Sequence, residues 1–222
     1  MKFWQILISI LIITSCQINE DCKNENYLIR PLEKDVTIKL DYNQNQESLI
    51  EDVEELFSED LCWNEKILGI EIGNKLLKTI FQKTCVDGTI RNIPISEVKI
   101  LMNQKGETLL NNQIIHLDSV ANWIENHFPN ETDYETEEIF FLWTKESPKE
   151  KIEKVFNQIT NGYLKSYNKI ANKIYGKEFC ELELSKVKEL ENTLKFRIKL
   201  GFGKVMIPPP PLTEEQIKEF EN

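Results

Sequence analysis

The chain has 222 residues, of which 41% are hydrophobic and 9% aromatic; it has the means to bury a core, and at ~150 residues per domain it suggests one or two domains. Its formal net charge of −10, with lysines interleaved among Glu and Asp, excludes a nucleic-acid partner, because phosphate binding depends on clustered Lys and Arg releasing counterions. Such interleaving reads as a solvated surface.

The N-terminus opens with Lys2 and an apolar run from Phe3 to Thr14 broken only by Gln5 and Ser9. Twelve residues at ~1.5 Å each give a helix of about 18 Å, well short of the ~30 Å hydrocarbon core of a bilayer. The run therefore reads as the h-region of a secretory signal followed by small residues. Ile13-Thr14-Ser15-Cys16 resembles the lipobox of bacterial lipoproteins, in which cleavage before the Cys leaves it as the acylated first residue. The expectation is a signal peptide over 1–15 and lipidation at Cys16; the alternative is cleavage elsewhere, with Cys16 discarded. Residues 16–30 read as a polar tether.

Export leaves Cys22, Cys62, Cys85 and Cys180, an even number in an oxidising compartment, with three possible pairings. Cys62 with Cys85 closes the smallest loop between ordered segments, while a plainer reading makes some of these cysteines small buried hydrophobes. His116 and His127 have no third ligand nearby and there is no CxxC, so no metal site and no cofactor are expected.

The segment 31–95 reads as a small α/β unit of unknown role. Asp35 to Asp41 alternates as a strand; Leu49, Ile50, Val53, Leu56 and Phe57 mark an amphipathic helix; Ile67 to Ile72 alternates again; and Leu76, Leu77, Ile80 and Phe81 suggest a second helix ending before Gly88. Val98 to Met102 is then β-rich, the polar stretch Asn103-Gln104-Lys105-Gly106 supplies a hairpin turn, and Glu107 to Leu110 forms the return strand. Asn111-Asn112 make a second turn, since Asn tolerates positive φ, before a brief run at Ile114-Ile115. Leu117, Val120, Ala121 and Ile124 share one helical face.

After an acidic loop, Glu138 to Lys145 reads as a buried strand. Ser147 as N-cap, Pro148 as first helical residue and Glu150 closing a capping box announce a long helix. Its apolar stripe runs through Ile152, Val155, Phe156, Ile159, Tyr163, Tyr167, Ile170 and Ile174 to a stop at Gly176. Such an aromatic stripe is usually core packing rather than a ligand box. It also carries more apolar positions than a three-stranded sheet and one short helix would cover, so Tyr163, Tyr167 and Ile170 are the expected partner or dimer surface. In the tail, 204–222, Pro208 to Pro211 form a polyproline II spacer or groove ligand, and Thr213 to Gln216 begin a short helix.

The order of VKILMNQKGETLLNNQIIHLDSVANWI, EIFFLWTK and SPKEKIEKVFNQITNGYLKSYNKIANKIYGKEF resembles the periplasmic domain of the ExbD/TolR family, over about 95–200. The resemblance implies an α+β or α/β fold, a small mixed sheet with a hairpin plus a long C-terminal amphipathic helix, in a domain at 96–203 behind the smaller α/β segment. It also implies an accessory of TonB-type biopolymer transport that dimerises or meets a TonB/ExbB-type envelope partner, and in TolR-like members binds peptidoglycan. Family members carry a membrane-spanning helix with a proton-handling carboxylate, whereas Phe3 to Thr14 holds no Asp or Glu. The expectation is a non-enzymatic binding module, lipid-anchored in the cell envelope and facing the periplasm. The alternatives are a TolR-like cell-wall-binding lipoprotein and a hydrolase using Cys62, Cys85 or Cys180 with His116 or His127, which no nucleophile elbow or HExxH supports.

Overall fold

A computed structural model of the chain describes residues 22–32, 35–44, 46–59, 61, 65–73, 75–83, 97–128 and 138–202. In chain order these form α1 (Lys23–Ile29), β1 (Thr37–Lys39), α2 (Gln46–Phe57), β2 (Lys66–Ile72), β3 (Lys75–Lys83), β4 (Glu97–Met102), β5 (Thr108–Leu110), β6 (Gln113–Ile115), α3 (Val120–His127), β7 (Glu138–Trp143), α4 (Lys149–Tyr175), α5 (Leu184–Thr193) and β8 (Ile198–Phe202). Short 3₁₀ turns precede α3 at Leu117–Ser119 and α5 at Phe179–Glu181. The strands make one eight-stranded mixed sheet in the order β1-β2-β3-β8-β7-β4-β5-β6. Its centre is parallel, β3, β8, β7 and β4 running together, and its ends are the hairpin partners β2 and β5–β6 with β1 parallel to β2. The boundary expected near residue 95 does not divide this sheet, because β3 pairs β8 from Ile80↔Lys199 to Lys83↔Phe202.

β3 corrects the helix expected over Leu76 to Phe81. The apolar pairs there mimic helical spacing because β3 is covered on both faces: Leu77, Thr79 and Phe81 are buried on one side and Ile80 on the other. With apolar side chains covered on both faces, exposed Lys75 at its start and half-buried Lys78 on the Ile80 side, the strand loses the regular alternation that would reveal it. β2 keeps that alternation in part, with Leu68, Ile70 and Ile72 buried and Ile67 and Glu71 exposed.

The long helix runs for 27 residues and ends on Gly176 at φ 63°, where a glycine accepts the left-handed turn without Cβ strain. Ser147 is not its N-cap. Pro148 holds that position, and the Ser147 hydroxyl instead accepts from Thr144 N at 3.0 Å and faces the carbonyls of Met102 (3.3 Å) and Asn103 (3.0 Å). It thereby binds the loop after β7 to the end of β4. The helix's apolar stripe is buried inside the molecule from Ile152 to Ile170, and only Ile174 in the last turn is exposed. Phe156 packs edge-on to Phe141 with ring centres 5.0 Å apart, Tyr163 lies between Phe128 and Phe196, and Tyr167 stacks on Phe179. α3 crosses closely at Gly162, where a Cβ would come within 2.7 Å of Ile124 Cβ. Glycine at that point is what lets the two helices touch.

The N-terminal segment is also corrected. Residues 23–29 are not tether but helix α1, whose Leu28 and Ile29 are buried, and Cys22 just before it is bonded to Cys180 across 158 residues of chain. Asn24 reinforces the junction, its buried amide donating to Phe179 O at 2.7 Å and Leu182 O at 2.9 Å. Cys16, Cys62, Cys85 and the Pro-rich tail lie outside the described residues.

Candidate functional site

Three polar features stand out among the described residues. The first is a cavity of about 320 Å³ between the β5–β6 hairpin and the start of α4, lined by Gly106, Thr108, Ile115, His116, Lys151 and Lys154 among others. Gly106 sits at φ 71° and has no Cβ to collide with Lys151 Cδ, 2.1 Å from where one would lie, so the lysine folds across the turn and donates to Lys105 O at 2.9 Å. Lys154 meets Asp118 at 2.6 Å. That hydrogen-bonded ammonium holds the Asp118 carboxyl below the usual carboxylate range. His116 Nδ1 accepts from Asp118 N at 3.3 Å. Thr108 Oγ1, in a buried residue, has no partner among the described residues. Both ammonium groups are thus committed locally. Beside the cavity runs β6, the outer strand of the sheet, with Ile114 77% exposed.

The second is a chain of charges, buried at Glu138 and Lys199 and open to solvent at Glu65. Glu138 opens β7 and accepts from Lys199 Nζ at 3.1 Å and Arg197 Nη2 at 2.9 Å; Arg197 also reaches Glu65 at 2.7 Å. The opposed charges pair with one another in a clasp among β7, β8 and the approach to β2, although the buried Arg197 Nε has no hydrogen-bond partner among the described residues. The third is a groove lined by Asn122, Gln158, Asn161, Leu164 and Lys165, where α3 passes α4.

Tyr163, Tyr167 and Ile170, the expected partner surface, correct that expectation. All three are buried in the chain's own core, and the tyrosine hydroxyls donate to the carbonyls of Arg197 and Leu194. The cover comes from α3 and from the segment leading through α5 to β8, which the sequence had not supplied as elements. Burial, the main cause, pushes the Tyr167 phenol well above its ordinary range. Cys180 has no free thiol, and His127 stacks on Trp123 with ring centres 4.3 Å apart. Among the described residues no group of three or more His, Cys, Asp and Glu could hold a metal ion, and no helix is long and apolar enough to cross a membrane.

Comparison with family models, curated proteins and solved structures found no match to this chain. What the geometry offers therefore stands on its own. The charge clasp was legible in part: a lysine between Ile198 and Leu200, and a glutamate opening Glu138-Ile139-Phe140-Phe141, are charges placed inside apolar strands. Thr108 carried no such signal.

Proposed function

We propose that the protein is a lipid-anchored component of the cell envelope that faces an oxidising compartment and binds a protein partner through an ExbD-like domain, without catalysis and without proton coupling of its own. The observation that carries this reading is the Cys22–Cys180 bridge, six residues beyond the lipobox-like Cys16, since such structural disulfides persist in exported proteins. The segments that resemble ExbD and TolR form β4, β5, β6, α3, β7 and α4 in that order.

With the tyrosines of α4 buried, the partner-facing surface is moved to the β6 edge, where Ile114 and the adjoining hollow are open and an added strand would find unpaired backbone groups. The partner is an envelope protein of the TonB/ExbB type or a second copy of the chain. The amide-lined groove of Asn122, Gln158 and Asn161 favours a second reading, binding of cell-wall glycan, because amides pair with sugar hydroxyls.

The test is affinity purification from native membranes after mild crosslinking, with the wild type and Ile114→Lys, alongside fractionation of Cys16→Ser. Recovery of a motor subunit, a TonB-like protein or a crosslinked dimer, lost in Ile114→Lys, is expected; Cys16→Ser is expected in the soluble fraction. Retention of that variant in membranes, or a partner list unchanged by Ile114→Lys, would overturn the corresponding half of the reading.

A further inference from the structure

Cys22, the first described residue, is pinned to the rest of the fold. Cys22 is bonded to Cys180, Asn24 is hydrogen-bonded to the same turn, and Tyr27 meets Glu191 of α5, which also holds Lys78 at 3.4 Å. From Cys16 to Cys22 there are only six steps of chain, a reach of about 20 Å at ~3.3–3.6 Å per residue. An acyl chain on Cys16 therefore holds one particular end of the molecule within about 20 Å of the bilayer surface.

Two large apolar side chains are exposed at that end. Ile174, in the last turn of α4, is 53% exposed, and Leu184, the first residue of α5, is 49% exposed. They flank Cys180 in the chain. Tyr175, next to Ile174, lies under Lys186 Nζ at 5.1 Å, which brings the two helix ends into one neighbourhood. Around them the charges are mixed: Lys23, Lys173, Lys177 and Lys186 are exposed, and so are Glu178 and Glu183.

We infer that the Cys22–Cys180 end rests on a lipid bilayer, with Ile174 and Leu184 set into the boundary between headgroups and acyl chains; this rests on the lipidation of Cys16 proposed above. Two side chains would not hold a free protein on a membrane. A tether this short raises the effective concentration of the surface enough for a weak contact to set orientation. The mixture of lysines and glutamates makes the contact depend on apolar burial rather than on attraction to anionic lipid.

The acylated full chain in phosphatidylcholine vesicles with brominated acyl chains tests this. Ile174→Trp, Leu184→Trp and, as control, Ile114→Trp on the outer strand are each compared with the unsubstituted protein, whose own tryptophans set the baseline. Quenching at 174 and 184 at least twofold greater than at 114, unchanged between about 0.05 and 0.5 M salt, is expected. Equal quenching at all three positions, or loss of the difference at high salt, overturns the inference. Flotation with the vesicles reads the anchor separately: a chain that fails to float overturns both the anchor and this contact, whereas one that floats with 174 and 184 unquenched overturns the contact alone. If those two positions are unquenched and their substitution changes the sedimentation of the protein, the patch belongs to a protein interface instead.

Discussion

Lys199 Nζ lies 3.1 Å from Glu138 Oε2 with both side chains almost wholly out of solvent, so the sheet's centre carries an ion pair that neither partner could leave singly. Glu138→Leu strands Lys199 and part of Arg197 without a counter-charge and is expected to cost about 3–5 kcal/mol. Adding Lys199→Leu to it is expected to restore part of that loss, because the remaining pair is apolar. Denaturant midpoints of the two single variants and the double variant check this; a double variant as unstable as the sum of the singles would show no coupling.

Ser147→Ala removes a buried hydroxyl that accepts from Thr144 N and bridges to the end of β4. The expected loss is about 1–3 kcal/mol, the range for leaving buried polar groups unpaired. Helix content by circular dichroism should be unchanged, since Pro148 and not Ser147 starts the helix. A shortened helix in the variant would restore the capping role.

Tyr167 couples stability to high pH. Its phenol is held above the unfolded value of 10.0, so the folded state keeps a proton that the unfolded chain gives up. The contribution is complete below pH 10 and is lost as pH rises from there through the folded value. Tyr167→Phe is expected to make the fall in unfolding free energy above pH 10 shallower by up to about 1.4 kcal/mol per pH unit. Urea midpoints measured from pH 8 to beyond the unfolded phenol value, as a series, decide it; parallel curves for the two proteins would refute the link.

Two disulfide measurements are expected to agree. Replacing Cys22 and Cys180 together by Ser should cost about 2–5 kcal/mol, since the bridge closes a loop spanning 158 residues; thermal unfolding with and without reductant reads it. With that pair formed, and with Cys16 acylated as proposed, Cys62 and Cys85 remain. Lys66 pairs with Phe81, and Cys62 stands four residues before the one as Cys85 stands four after the other. Non-reducing peptide mapping is expected to return one Cys62–Cys85 crosslink and no free thiol; titration of two free thiols would contradict it.

The stretch from Val98 to Gly176 could be read almost element by element, because its turns announce themselves. Asn111 and Asn112 take positive φ, as their side chains permit, and Gly176 stops α4. Where reading failed, the missing information was tertiary. Leu76 to Phe81 lost its alternation through two-sided burial, and α1 looked like tether because Asn24 and Asn26 are polar, although Asn24 is buried against the far end of the chain. Tyr163 and Tyr167 seemed in need of an outside cover only while the segment carrying Phe179, Leu194 and Phe196 went unassigned. Of the hollow beside β6, Gly106 and the lysines were visible, but nothing local says that a turn at 106 and a helix at 151 meet.

The place of β8 sets an order of events during synthesis. It is the last strand described, yet it lies between β3 and β7, joining a half made early to a half made late. Until Ile198 to Phe202 emerge, β3 and β7 are both bare edges, and the sheet stays in two pieces while the chain is made. Completion of the sheet thereby waits for the last strand described, which makes any truncation before residue 198 a recipe for edge-to-edge aggregation rather than for a smaller protein.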